Sequence, residues 1–101
     1  MADATSDQPP VEPVDVYAII MLWLDQMAAI AWQKMGLQPD LATGQIAKDL
    51  KQAKTAIDVA AGLAAFLEPE LDQSDKRRIH NLVTDLRMNY VQQSDSGGDD
   101  A

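Results

Sequence analysis

The sequence predicts an all-α three-helix domain, and three observations carry that prediction. Three stretches of roughly twenty residues place apolar side chains at the three- and four-residue spacing of a helix. Between them stand helix stops, Gly36 with Pro39 and then Pro69, and no stretch alternates apolar and polar residues as a strand does. Both ends are too polar to join a core: residues 1–15 hold Pro9, Pro10, Pro13 and four acids, and residues 93–101 are mostly Ser, Gly and Asp. Such composition cannot offset the entropy of ordering. A domain over 15–92 is expected, with disordered acidic tails at 1–14 and 93–101.

The first helix is expected over about 16–35. Asp15 is a good N-cap residue after the helix-hostile prolines, Gly36 suits the left-handed position just past the end, and Lys34 suits the negative end of the helix dipole. Wound at ~100° per residue, its apolar residues run almost all the way round. Ile20, Leu24, Met27, Ala28, Ala31, Trp32 and Met35 fill one half, and Ile19, Leu22, Trp23, Ala29 and Ile30 interleave with the polar residues of the other. Trp23 and Trp32 are nine positions apart, roughly 180° around the helix, so no single face buries both. A helix in a three-helix domain needs one buried face; the surplus asks for a second surface. Ile20, Trp23, Leu24, Met27, Ile30 and Trp32 are therefore the candidate interface. Its expected partner is a second copy of the chain, as a dimer or higher homo-oligomer, or else an unidentified protein.

A membrane is the competing cover. Twenty residues at ~1.5 Å rise reach about 30 Å, enough to span a bilayer. Against this, the uninterrupted apolar run stops at Leu24, and Asp25 near the midpoint costs roughly 2.5–3.5 kcal/mol on insertion scales. No Lys or Arg precedes Lys34 to orient a span, and an interfacial helix would want basic residues on its polar face. Protein is the expected cover, and lipid the alternative.

The second helix is expected over about 45–67, after a loop at 37–44. Its stripe is Ile46, Leu50, Ala53, Ile57, Ala60, Ala64 and Leu67, a heptad seam rich in small residues. Gly62 costs about 1 kcal/mol inside a helix relative to Ala, which suggests a close crossing by another helix there. Pro69 should end this helix by restricting Glu68. The third helix is expected over 73–92, capped by Asp72 with Asp75 three positions on. It carries one narrow stripe: Ile79, Leu82, Val83, Leu86 and Tyr90.

Of sixteen acids, seven lie in the tails (Asp3, Asp7, Glu12, Asp15, Asp95, Asp99, Asp100), where there is no base. Nine acids face eight bases in between, so seven of the eight net negative charges belong to the ends and the folded middle is nearly neutral. Such tails read as solubilising bristles around a sticky core. An acidic chain whose aromatics sit in an apolar helix is not expected to bind nucleic acid. Cysteine is absent, which excludes disulfides and thiolate metal sites, and no signal peptide is visible. A cytoplasmic setting is expected.

Candidate chemistry is sparse. His80, the one histidine, has Lys76 and Thr84 one turn away on either side, neither a metal pair nor a base with its orienter. Asp25, interrupting the apolar helix, could set register at a helix interface, or point at solvent. Arg87, beside core Leu86, could clamp Asp25 or Asp58. Lys54 and Asp58 are one turn apart and should pair on the surface. Lys76, Arg77 and Arg78 stand at a helix N-terminus, with Glu68, Glu70, Asp72 and Asp75 around them to neutralise the charge. No catalytic triad, phosphate loop, zinc set or nucleotide fingerprint is present. No catalytic, cofactor or metal residue is assigned; a ligand or enzymatic site between helices, using Asp25 and Arg87, is the minor alternative.

The succession of Met35 and Gly36, Pro39, Thr43 and Gly44, Asp49 and Leu50, Ala53 and Lys54, Ile57 and Asp58, and later Leu86, Arg87, Tyr90 and Val91 resembles a small bacterial family, domain-of-unknown-function family eighteen forty-four. The likeness covers about residues 18–92. Its most specific portion is P-x-x-x-TG followed by DL-x-x-AK-x-x-ID. The chain departs from the family at 66–71 (FLEPEL), where a Lys-Thr-x-Gly-Asn-Leu type connection is usual. The resemblance implies a bacterial, cytoplasmic, all-helical protein without a known activity, and carries over no catalytic residue.

Overall fold

The computed structural model describes residues 11–95. Three helices follow one another: α1 (Val16–Lys34), α2 (Leu50–Leu67) and α3 (Gln73–Asp95), with a 3-10 turn (Glu68–Glu70) between the last two. No strand occurs among the described residues, so the all-α three-helix prediction holds. Residues 11–15 have no regular structure, whereas the expected tails at 1–10 and 96–101 lie outside the described residues.

α1 begins where Asp15 adopts an extended backbone and its carboxylate accepts the Tyr17 N–H at 2.9 Å. It ends at Gly36, whose φ of +80 is the left-handed conformation only glycine adopts freely. The Gly36 N–H donates to the Gln33 carbonyl and the Leu37 N–H to the Trp32 carbonyl, which satisfies two carbonyls the helix end would otherwise leave unpaired. There is no room at Gly36 either: a Cβ would stand 3.3 Å from that of Lys48.

α2 starts five residues later than its expected position at Gln45, and Ile46 is not in its stripe. Asp49 supplies the reason. Its carboxylate caps the helix by accepting the Gln52 N–H at 3.1 Å, while its own N–H donates to the Lys34 carbonyl at 2.8 Å. Residues 46–48 are thereby drawn across the end of α1 as non-helical chain, leaving Ile46 exposed. Asp40 organises the loop before this strap. Its carboxylate accepts the Ala42 and Thr43 N–H groups, its carbonyl accepts the Gly44 N–H, and its N–H donates to the Gln45 carbonyl. Lys34 pairs with it at 3.7 Å.

At the other end of α2, Glu68 keeps a helical conformation despite preceding Pro69, contrary to the expected restriction. Pro69 lacks an N–H and instead sits in the first turn of the 3-10 segment, where no donor is needed. Asp72 then accepts the Asp75 N–H at 2.8 Å, as expected of the cap of α3. α3 runs to Asp95, three residues beyond its expected end.

α1 and α2 form an antiparallel hairpin, and α3 returns along it, packed mainly on α2 and only lightly on α1. Two apolar clusters make the core. Ala28, Ala31, Met35, Leu50, Ala53, Ala56, Ile57, Ala60 and Leu86 fill the loop end. Leu24, Leu67 and Ile79 fill the other, with Ile20, Met21, Leu63 and Leu71 against them. The bulky side of α1 therefore packs on the small-residue side of α2, as the heptad seam indicates. Gly62 has no part in this contact: it is exposed, and nothing lies within 4 Å of where its Cβ would be.

Candidate functional site

The candidate interface of α1 divides into two sides. Leu24 is fully buried in its own chain, so it is removed from any surface a partner can touch. Ile20 is half-buried against Leu24's cluster, and Met27 and Trp32 are half-buried against the larger one. Trp23 remains 55% exposed, with Val16 at 62%, Leu22 at 50% and Ile30 at 37%. The two tryptophans are thus parted as their spacing requires, Trp32 inward and Trp23 outward.

Asp25 and Arg87 are not brought together. Both are exposed. Asp25 lines an open groove of about 520 Å³ between α1 and α3 with Trp32, Arg78, Asn81 and Asp85. Arg87 lines a different one of about 270 Å³ between α2 and α3, with Ala61, Ala65, Lys76 and His80. Asp58, the other expected partner of Arg87, pairs with Lys54 at 3.0 Å instead, the one-turn pair anticipated from spacing. Among the described residues no ion pair within 4 Å involves Lys76, Arg77 or Arg78; the Arg78 guanidinium donates to the Met21 sulfur at 3.5 Å.

A third open concavity, of about 730 Å³, is lined by Lys48, Lys51, Lys54, Asp49, Asp58 and Tyr90. Its carboxylates balance much of its positive charge. No group of three or more His, Cys, Asp and Glu side chains able to hold a metal occurs among the described residues. No described buried polar side-chain atom lacks a hydrogen bond. The polar groups that are hydrogen-bonded or paired serve mainly caps, turns and surface contacts, while the exposed apolar groups have no evident task within the chain.

Val59 (42% exposed) and Phe66 (72% exposed) belong with those unassigned apolar groups and escaped the sequence reading. Both lie outside the inward stripe of α2 and are seven residues apart, the separation of Trp23 from Ile30. The signal is their shared position on the outer face of α2 at helical spacing.

Fold and surface together define a small all-α three-helix domain with an uncovered apolar helix face. The family model described as a domain of unknown function, DUF1844, matches residues 17–92, and the chain belongs to that family. The resemblance read from residues 18–92 is therefore upheld. Comparison with curated proteins and with solved structures returned no match.

The motif residues that carried the resemblance have structural tasks here. Asp49 caps α2, Leu50, Ala53 and Ile57 are core, Lys54 and Asp58 pair, and the turn containing Thr43 and Gly44 closes on Asp40.

Proposed function

We propose that the protein is a non-catalytic helical interaction module that self-associates, as a dimer or higher homo-oligomer, through the outer side of α1. One observation carries this reading: Trp23 stands more than half exposed on a helix whose inward side, at Leu24, Ala28 and Ala31, is buried. An exposed Trp flanked by Val16, Leu22 and Ile30 is a contiguous apolar patch, and such patches mark association surfaces. Aromatic anchors of this kind dominate interface energetics. The setting proposed is cytoplasmic.

Light scattering on the size-exclusion peak tests the reading. A species of at least twice 11.0 kDa at micromolar concentration is expected, and a monomer throughout that range excludes it.

One observation favours a second reading, association with a membrane through α1: Val16–Lys34 is long and apolar enough to cross a bilayer, and only 17% of its apolar window is buried. Within α1, however, charge is confined to Asp25 and Lys34, and an interfacial helix binds through a basic polar face. Recovery in a membrane fraction that resists salt and yields to detergent would favour this reading over the first. A ligand or enzymatic role built on Asp25 and Arg87 has less support, since these residues line separate grooves.

A further inference from the structure

α3 covers one side of the α1–α2 hairpin, and the exposed apolar residues gather on the other. On α1 the side toward α3 is marked by Met21, which Arg78 reaches, and by Asp25 and Trp32, which line the α1–α3 groove. Trp23 is two positions from both Met21 and Asp25, about 160° around the helix. Val16 and Ile30 lie seven positions on either side of Trp23 and so share its face, with a drift of only ~20° per step. On α2 the side toward α3 is marked by Ala61 and Ala65 in the α2–α3 groove. Val59 and Phe66, two and five positions from Ala61, are displaced from it by about 160° and 140°. The two rows, Val16–Trp23–Ile30 and Val59–Phe66, therefore lie side by side on the bare face of the hairpin.

This face also carries no unpaired charge among the described residues. Asp25 is on the α3 side of α1, and Lys34, eleven positions from Trp23 and so close to its row at the helix end, is neutralised by Asp40. The charged residues of α2, namely Lys51, Lys54 and Asp58, line the concavity that Tyr90 of α3 closes. A two-fold axis sets the residues close to it beside their own copies, so the centre of a self-associating surface must avoid like charges. A neutral face meets that condition, whereas a lipid surface would be better served by a basic rim.

Area decides in the same direction. Aromatic side chains each bury 150–250 Å², and Val16, Leu22, Trp23, Ile30, Val59 and Phe66 together expose on the order of 600 Å² per chain. Two such faces bury roughly 1,200 Å², above the ~1,000 Å² a specific interface needs. The α1 row alone falls short of it.

Resting on the self-association reading above, we propose that two copies of this chain stack hairpin on hairpin about a two-fold axis. Val59 and Phe66 of α2 are then buried beside Trp23 and Ile30 of α1. The result is a four-helix core of two α1 and two α2 helices, with each α3 on the outside.

Sedimentation equilibrium on the full chain and three variants tests this. The substituted side chains are all more than half exposed, and far-UV circular dichroism checks that helix content is retained. Trp23→Glu and Phe66→Glu should each weaken the dimer at least tenfold. Met88→Glu, at an exposed apolar position of α3, should leave it unchanged. Loss with Trp23→Glu but wild-type affinity with Phe66→Glu overturns the hairpin interface and leaves association through α1 standing. Loss with Met88→Glu also overturns it. A monomeric wild-type chain removes both proposals.

Discussion

Trp23 and Trp32 lie on opposite sides of α1, the first 55% exposed and the second packed against the Ala28–Leu86 cluster. Their environments can be read separately by fluorescence. In a Trp32→Phe chain, emission comes from Trp23 alone. It should be red-shifted at nanomolar concentration and move to the blue as concentration rises, because association removes its ring from water. In a Trp23→Phe chain, the emission of Trp32 should be concentration-independent. A Trp23 spectrum that never moves would count against burial of this residue in any assembly.

Leu24 and Ile30 provide the energetic counterpart of that contrast. Leu24 is fully buried where α1 meets Leu67 and Ile79, so Leu24→Ala leaves a cavity and should cost about 2–5 kcal/mol of folding stability. Ile30 keeps 37% of its surface exposed, and Ile30→Ala should cost the isolated chain markedly less while weakening self-association. Urea unfolding at low and high protein concentration separates the two effects. Equal losses at Leu24 and Ile30, independent of concentration, would contradict the two-sided description of α1.

The inward half of the fold was legible in the sequence because burial leaves a periodic trace. Leu50, Ala53, Ile57, Ile79, Val83 and Leu86 are all core as spacing requires, and Asp15, Gly36 and Asp72 mark helix ends by their own chemistry. The start of α2 was not legible. Ile46 continues the heptad seam in phase, and the residues before Asp49 are held out of helix by the Asp49 cap and by long-range hydrogen bonds, Asp49 N–H to the Lys34 carbonyl and Asp40 N–H to the Gln45 carbonyl. The absence of an Asp25–Arg87 contact has a similar origin: it depends on how far α3 is rotated about its axis, which a narrow apolar stripe leaves poorly defined. Phe66 and Val59 were missed because they lie off the inward seam, and on an outer face one apolar residue is ordinary. They gain meaning from α1 beside them.

Gly36 and Gly62 should respond oppositely to alanine. At Gly36 the left-handed backbone costs a Cβ-bearing residue roughly 1–2 kcal/mol, and the Lys48 Cβ at 3.3 Å adds crowding. Gly36→Ala should lower Tm by several degrees, taking ~4–8 °C per kcal/mol for a domain of this size. At Gly62 the backbone is helical and space is open, so alanine there should gain up to about 1 kcal/mol from helix propensity. Thermal melts of the two variants check both signs. A destabilised Gly62→Ala chain would show that something absent from the single chain occupies the space beside Gly62.

Asp40 ties the α1–α2 connection together and should make it sensitive to acid. The Ala42 and Thr43 N–H groups, with the Lys34 ammonium beyond them, hold its carboxyl below the ordinary value of 3.8. A carboxyl with a lowered folded pKa contributes stability that is fully present above its unfolded pKa and is lost as pH falls through the folded one. Asn at this position keeps an oxygen to accept both N–H groups but carries no charge. Asp40→Asn should therefore have a lower Tm than the wild type at pH 7, with the gap closing as pH drops below 3.8 and the wild-type carboxyl becomes neutral. The comparison uses the difference between the two melts at each pH, so the acid response of the other carboxylates largely cancels. A gap that persists unchanged to pH 2.5 would show that the charge of Asp40 is not what secures the loop.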